Sequence, residues 1–418
     1  MIKSIPDRTL TLIFTKFVSL QDWHRAGILE RECKQYLRLA SDGWRVNFVT
    51  YGDGSDLEFA EMLAPIKILC NRWGIVPEQY QALIPCLFSE TIQQTDLIKI
   101  HQIEGGEAAL RCCEVWKKPL LVRCGYLASH TGSERVDIGR ISESELGAII
   151  DLEKRLFKFG SEIIVTTRAI RDHIVREYAV AEEKVSVIPN FVDTELFSPK
   201  PDEPKTNKVV FVGRLSAEKN LSNLVLACHE LGLSLEMIGD GPAQQELKDL
   251  SVTLGSEVIF QGALAHEELP EHLRASKIFA LVSLYEGNPK ALLEAMSCGM
   301  AVLGTNVKGI RDLIEDGVNG ILCNTDAESI RKGLARILKD RELSEKISKN
   351  ARMDIVQNNS FEKVFSEEKS VLERLVGNAG LKKGRGAVIK ARLMGICCRS
   401  VSPVVSKLKK RIAKVFHA

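Results

Sequence analysis

Two glutamates, Glu286 and Glu294, stand eight positions apart in the stretch YEGNPKALLEAMSCG, on either side of Asn288-Pro289. An ionised carboxylate accepts hydrogen bonds from two hydroxyls at once, so such a pair suits a ligand rich in vicinal diols. Pro289 fits the first position of a helix, where its missing N–H would be unpaired anyway, and Asn288 fits the N-cap before it. The helix is expected to run through KALLEAM and stop near Gly299, with Glu286 in the loop below its N-terminus and Glu294 on its second turn. Free N–H groups at that terminus attract phosphate. Taken alone, the stretch is equally consistent with a capped surface helix.

A second group of residues raises the weight of the first. In VVFVGRLSAEKN an apolar strand ends at Gly213, Arg214 follows, and Lys219 lies near the start of the next helix. Open α/β sheets bind ligands at such strand ends. Arginine offers a planar fork to phosphate oxygens and lysine a compact charge. Alone, a Gly-Arg pair is an ordinary solvated turn. Both groups sit at strand-to-helix junctions of one sheet, so their convergence predicts a diphosphate site that works without a metal. Competing motifs are incomplete. IGDGPAQQ has Gly239 and Gly241 but Gln244 where a dinucleotide fingerprint needs a third glycine, and no phosphate-binding GxxxxGK[ST] occurs. HEELPEH has Pro270 in the place of the second histidine of a zinc helix, and no Asp-x-Asp is present.

The elements that hold these residues follow from the rest of the chain. With 418 residues it is long enough for two or three domains, and 45% hydrophobic with 27% charged residues is ordinary for a globular protein. Apolar runs alternate with helical patterns, the sign of parallel α/β architecture. TLTLIF, WRVNFVTY, IKILC, TDLIKI, KPLLVR, EIIVTT and KVSVI are expected strands of a first unit. KVVFV, SLEMI, EVIF, KIFALV, MAVLGT and GILC are those of a second. The proline-bearing stretch PNFVDTELFSPKPDEPKTN separates them. Two doubly wound, Rossmann-like domains are expected, over 1–190 and 191–360, facing a central cleft. A helix over 361–379 should pack back toward the first domain, and a basic amphipathic tail should fill 380–418.

The net charge of +2 gives no general case for nucleic acid as a partner. Its distribution is uneven: no Asp or Glu follows Glu373, and eleven Lys or Arg lie between Lys382 and Lys414. Subtracting those eleven charges from the total leaves −9 for the body. In SPVVSKLKKRIAKVFHA, Ser402 and Pro403 can start a helix, with Val404, Val405, Leu408, Ile412, Val415 and Phe416 along one side. Lys407, Lys409, Lys410, Arg411 and Lys414 occupy much of the remainder, a pattern suited to an anionic membrane surface. A solvated tail, or a helix packed on the body, would carry the same residues. Eleven cysteines without a CxxC spacing favour reduced thiols, most of them buried, and no apolar run approaches a membrane span. The expected location is the cytoplasm, with the tail at a membrane face.

In this order, VIPNFVDTELFSP, FVGRLSAEKN, IGDGP, FQGALAHEELPEHLRAS, YEGNPKALLEAMSCG and GIRDLIEDGVNGIL resemble the glycosyltransferase family 4 proteins of the GT-B fold, over roughly residues 160–360. The resemblance implies a nucleotide-sugar donor. By it, Glu294 holds the ribose hydroxyls and Glu286 those of the transferred sugar. Arg214 and Lys219 neutralise the leaving diphosphate, and the backbone of Gly287, Asn288, Pro289 and Lys290 completes the phosphate cradle. Gln261 and Gly262, in the loop after VIF, would lie near the base, and Gly309 would permit a close backbone approach. Retention of anomeric configuration, transfer to a glycan or lipid-linked acceptor, and the lack of any cofactor or metal also follow from the resemblance.

The first domain matches less well. TKFVSLQDWHRAG holds only Gly27 where many relatives carry a glycine-rich loop, and RCGYLASH offers Gly125 and Tyr126 where relatives often place a histidine. His24, Arg25, Lys99, His101, Arg123, Tyr126 and His130 are the candidate acceptor contacts, each also readable as a surface or hinge residue. Two further readings stay open: a non-hydrolysing sugar-nucleotide epimerase on the same fold, and an inactive nucleotide-sugar-binding protein.

Overall fold

The computed structural model describes residues 8–130, 136, 141–200 and 206–383. The basic stretch from 384 to 418, with its expected amphipathic helix, lies outside the described residues, as do 1–7 and part of the proline-bearing linker.

Each of the thirteen apolar runs forms a strand. The first sheet holds β1 (Arg8–Ile13), β2 (Trp44–Val49), β3 (Lys67–Leu69), β4 (Leu97–Ile100), β5 (Leu120–Cys124), β6 (Glu162–Val165) and β7 (Val185–Val187). Its helices are α1 (Leu20–Arg25), α2 (Leu29–Ser41), α3 (Pro77–Leu87), α4 (Ser89–Gln94), α5 (Gly106–Trp116), α6 (Glu143–Phe159) and α7 (Arg168–Tyr178). The second sheet holds β8 (Thr206–Val212), β9 (Ser234–Ile238), β10 (Val258–Gly262), β11 (Ser276–Leu281), β12 (Ala301–Thr305) and β13 (Ile321–Cys323). Around it lie α8 (Leu221–Glu230), α9 (Gln244–Leu254), α10 (Leu269–Ala275), α11 (Lys290–Ser297), α12 (Ala327–Lys339) and α13 (Arg341–Asn358). The chain's last described helix is α14 (Phe361–Lys383).

Both sheets are parallel, ordered β3-β2-β1-β4-β5-β6-β7 and β10-β9-β8-β11-β12-β13. Their central strands are apolar and inaccessible, as sheets covered on both faces require: Leu10, Leu12, Val210, Phe211 and Phe279 have no exposed surface. In each sheet the winding reverses beside the first strand, between β1 and β4 and between β8 and β11. Such switch points open a crevice at the carboxyl ends of the strands.

The chain crosses between the two units twice, and the crossings are tied together. Val192 N–H donates to Asn359 O at 2.8 Å, and Phe361 N–H to Val192 O at 3.0 Å. Beyond that point α14 joins the core of the first unit through Phe361, Val364, Phe365, Val371, Leu372 and Leu375. Glu368 of α14 is buried between Lys99 of β4 and Arg123 of β5, so one carboxylate offsets two sheet cations.

Candidate functional site

The donor-side loops are shaped by close backbone approaches. Gly213 leaves β8 at φ 153°, and a Cβ on Gly239, itself at φ 133°, would stand 2.0 Å from Gly213 O. Only glycine fits that contact. Exposed Arg214 follows, and a single 3-10 turn over Ala217–Lys219 ends at Asn220 in the left-handed region. Asn220 Nδ2 donates to Val282 O at 3.1 Å and Thr325 O at 2.7 Å, which fixes the turn beside the end of β11. Lys219 Nζ is thereby brought 2.6 Å from Glu286 Oε1, which also accepts from Ser283 Oγ at 2.7 Å.

Helix α11 begins one residue later than its sequence suggests. Pro289 is the N-cap and Lys290 the first helical residue. Asn288 is drawn off the cap by Asn190, whose N–H donates to Asn288 Oδ1 at 3.2 Å and whose Nδ2 donates to Asn288 O at 2.8 Å. Asn288 Nδ2 and the Tyr285 hydroxyl are buried without a hydrogen-bond partner. Gly309 does permit a close approach, but to this loop: a Cβ there would meet Glu286 O and Gly287 O at 2.4 Å. Gly287 in turn abuts Gly125 O and the Tyr126 Cβ of the first unit.

A cleft of about 310 Å³ opens here. Lys219, Glu286, Gly287, Asn288 and Lys290 line the donor side, and Gln102, Gly125, Tyr126 and Asn190 the opposite side. Its size is at the low end for small-molecule sites. Among the described residues, no group of three His, Cys, Asp or Glu is arranged to hold a metal ion.

Glu294 and Lys290 lie in the seam between the units. Glu294 is 3% exposed, and its Oε1 accepts from His266 Nε2 at 2.9 Å and Arg31 Nη1 at 3.2 Å. Burial pushes this carboxyl up, but the His266 bond and the Arg31 charge outweigh it and hold the group below its ordinary value. Lys290 Nζ pairs with Glu32 of α2, and burial lowers this ammonium to about 8. Glu32 also meets Arg31 Nε at 3.2 Å and His101 Nε2 at 3.6 Å. Burial raises the Glu32 carboxyl, yet Lys290, His101 and Arg31 together keep it well below the ordinary range. A second cavity of about 300 Å³ borders this network, lined by Arg31 and Lys34 on one side and by Asp193, His266 and Glu294 on the other.

The candidate acceptor residues divide. Tyr126 lines the cleft, and His130 lies beside Lys308, whose Nζ donates to His130 O at 3.2 Å. Buried Glu153 accepts from Ala128 N–H at 2.7 Å and Tyr178 OH at 2.6 Å, and so holds the turn between Tyr126 and His130. His101 is half-buried against Trp23, with Nδ1 3.0 Å from Thr15 Oγ1, and reaches the site through Glu32. Two others are corrected. Lys99 has no exposure and is bound to Tyr36 OH and Glu368, so it cannot meet an acceptor. Arg123 is held by Glu368 and Asn190, which makes it a support for the cleft wall. His24 packs on Phe59, and Arg25 pairs with Asp22 on the exposed side of α1. On the donor side, Gln261 and Gly262 are the last residues of β10 rather than a loop, and Gln261 Nε2 is engaged by Glu236 at 2.7 Å.

Arg31, Glu32, Asn190 and His266 went unmarked in the sequence. His266 read only as part of a failed zinc motif. Their partners are distant in the chain, and no local pattern signals them.

The sequence matches the family described as Glycosyl transferases group 1 over residues 193–354, and that described as Glycosyltransferase Family 4 over 36–196. It is 31% identical over 313 residues to the Escherichia coli UDP-Gal:alpha-D-GlcNAc-diphosphoundecaprenol alpha-1,3-galactosyltransferase, covering 70% of this chain and 78% of that one. It is also 31% identical to a sulfoquinovosyl transferase of Arabidopsis thaliana, over 76% of this chain and 64% of that protein. An uncharacterized glycosyltransferase of Methanocaldococcus jannaschii is 27% identical, over 53% of this chain and 61% of its own length. Among solved structures, sucrose-phosphate synthase from Thermosynechococcus elongatus superposes with a TM-score of 0.71 at 19% identity, over 89% of this chain and all of that one. Anabaena HepE in complex with UDP gives 0.70 at 19% identity, over 88% and 100%.

Proposed function

Because the chain belongs to glycosyltransferase family 4 and has its two-domain GT-B fold, we propose that it moves a sugar from a nucleoside diphosphate to an acceptor hydroxyl, with retention of configuration. The observation that carries this reading is the convergence of Lys219 and Glu286 where α11 begins, facing Tyr126 and Gln102 across one cleft. In the reaction the bond from the anomeric carbon to the diphosphate oxygen breaks and a bond to the acceptor oxygen forms. The acceptor's proton leaves on the departing diphosphate. Charge grows on that diphosphate, so cations fixed in advance lower the barrier. Lys219 has three N–H donors and can keep Glu286 while serving a phosphate. Arg214, exposed just after β8, would supply a second charge. Glu286 would bind hydroxyls of the moving sugar and Glu294 those of the ribose. The Escherichia coli relative is named for transfer from UDP-Gal to a diphosphoundecaprenol-linked sugar, which supports a lipid-linked acceptor here.

The test is release of nucleoside diphosphate from a panel of sugar nucleotides, with and without acceptor glycans or glycolipids. Acceptor-dependent release that survives EDTA is expected. Release that needs no acceptor, sugar isomerisation alone, or activity restored after EDTA only by a divalent ion would overturn transfer or its metal independence.

A further inference from the structure

Helix α2 belongs to the first unit, yet one side of it is bonded to the donor unit. Arg31 meets Glu294, Glu32 meets Lys290, and Lys34 meets Asp193. Arg38 continues the same stripe to Glu362, just past the second crossing of the chain. Positions 31, 34 and 38 lie on one helix face. At the head of this helix Gly27, at φ 64°, is pressed against Leu264 O, which a Cβ would approach to 2.6 Å.

The first two pairs differ from the others in burial and partner. Their side chains are 4–25% exposed, and both partners sit on α11, one turn apart. The adjacent residues Arg31 and Glu32 therefore present opposite charges to the opposite charges of Lys290 and Glu294. This arrangement fixes both the register and the separation of the two units, because a slip of one residue would set like charges together. We propose that Arg31 and Glu32 are positioning residues that clamp the donor-site helix against the first unit and so close the cleft over the nucleoside diphosphate; the role of closure in transfer rests on the functional reading above.

Removing one member of a buried pair leaves its partner charged in a dry seam. Opening the seam rehydrates that charge, so each single variant should favour an open molecule. Small-angle scattering of the unliganded full chain reads this directly. Arg31→Ala and Glu32→Gln should each show a larger radius of gyration than wild type, and Arg31→Lys should fall between. Arg38→Ala, on the same helix but outside the cleft, should match wild type. With the sugar nucleotide that the wild type uses, kcat should fall by about 10- to 100-fold, the cost of slight misplacement, while affinity for the matching nucleoside diphosphate changes far less. If Arg31→Ala does not fold, Glu32→Gln and the exchange Glu32→Lys with Lys290→Glu decide the matter. Scattering curves of the folded single variants that coincide with wild type would overturn the clamp, whatever their activity. Failure of the wild type to bind any nucleoside diphosphate of the panel would overturn the functional reading, and the scattering result would still judge the clamp.

Discussion

At the residue scale, the opening pair of glutamates turns out to have two quite different surroundings. Glu286 is held by Lys219 and Ser283 at the edge of the cleft, and Glu294 by His266 and Arg31 within the seam. Their roles should separate in kinetics. Glu294→Ala should raise donor KM, since ribose contacts are alike in ground and transition states, and should also lower kcat as Arg31→Ala does, because it leaves Arg31 unpaired in the seam. Glu286→Gln and Lys219→Ala should each lower kcat by about 100-fold or more, the scale of one preorganised charge contact. Because these two side chains hold each other, the double variant should lose less than the product of the single losses. Steady-state kinetics of the four enzymes checks this, and fully multiplicative losses would show that the pair does not act as a unit.

At the scale of elements, the strands were legible because parallel strands covered on both faces must be short continuous apolar runs. The start of α11 was legible to within one residue, the displacement coming from Asn190, 98 positions away in the chain. Lys99 and Arg123 were misread because a basic residue at a strand end looks ligand-facing until the buried partner appears. That partner is Glu368, on a helix that follows the second domain. Burial raises the Glu368 carboxyl, but Lys99 and Arg123 together bring it below its ordinary value of 4.5. A lowered folded value means that this group's stabilisation is complete above about pH 4.5 and is lost as pH falls through the folded value. Glu368→Gln leaves buried Lys99 and half-buried Arg123 uncompensated and should cost about 3–5 kcal/mol near neutrality. Urea unfolding at pH 7 and at pH 4 is the check. The gap between variant and wild type should shrink at the lower pH, and an unchanged gap would mean that Glu368 does not carry the acid dependence.

At the scale of the whole molecule, the two-unit plan follows from sequence alone, whereas the contacts between the units do not. Arg31 and Glu294 are 263 positions apart, and only closure of the cleft brings them together. Charge is the other property of the whole chain that a local motif does not capture. A body of net −9 carries a terminal stretch with eleven cations and no acid. An anionic surface should attract that stretch and repel the body, which would orient the molecule with its tail inward. Each Lys or Arg near such a surface contributes about 1 kcal/mol, and the apolar side chains from Val404 to Phe416 add burial if they form one helix face. Because α14 runs to Lys383, a truncation that isolates the tail should end there and leave that helix whole. In co-sedimentation at low salt, the full chain should bind anionic vesicles and pass neutral ones, and the chain ending at Lys383 should bind neither. Salt should weaken the binding, since exposed charges are screened within a Debye length of about 8 Å at physiological ionic strength. Equal binding by the two chains would place any membrane affinity on the body, and no binding by either would leave the basic stretch without a role at membranes.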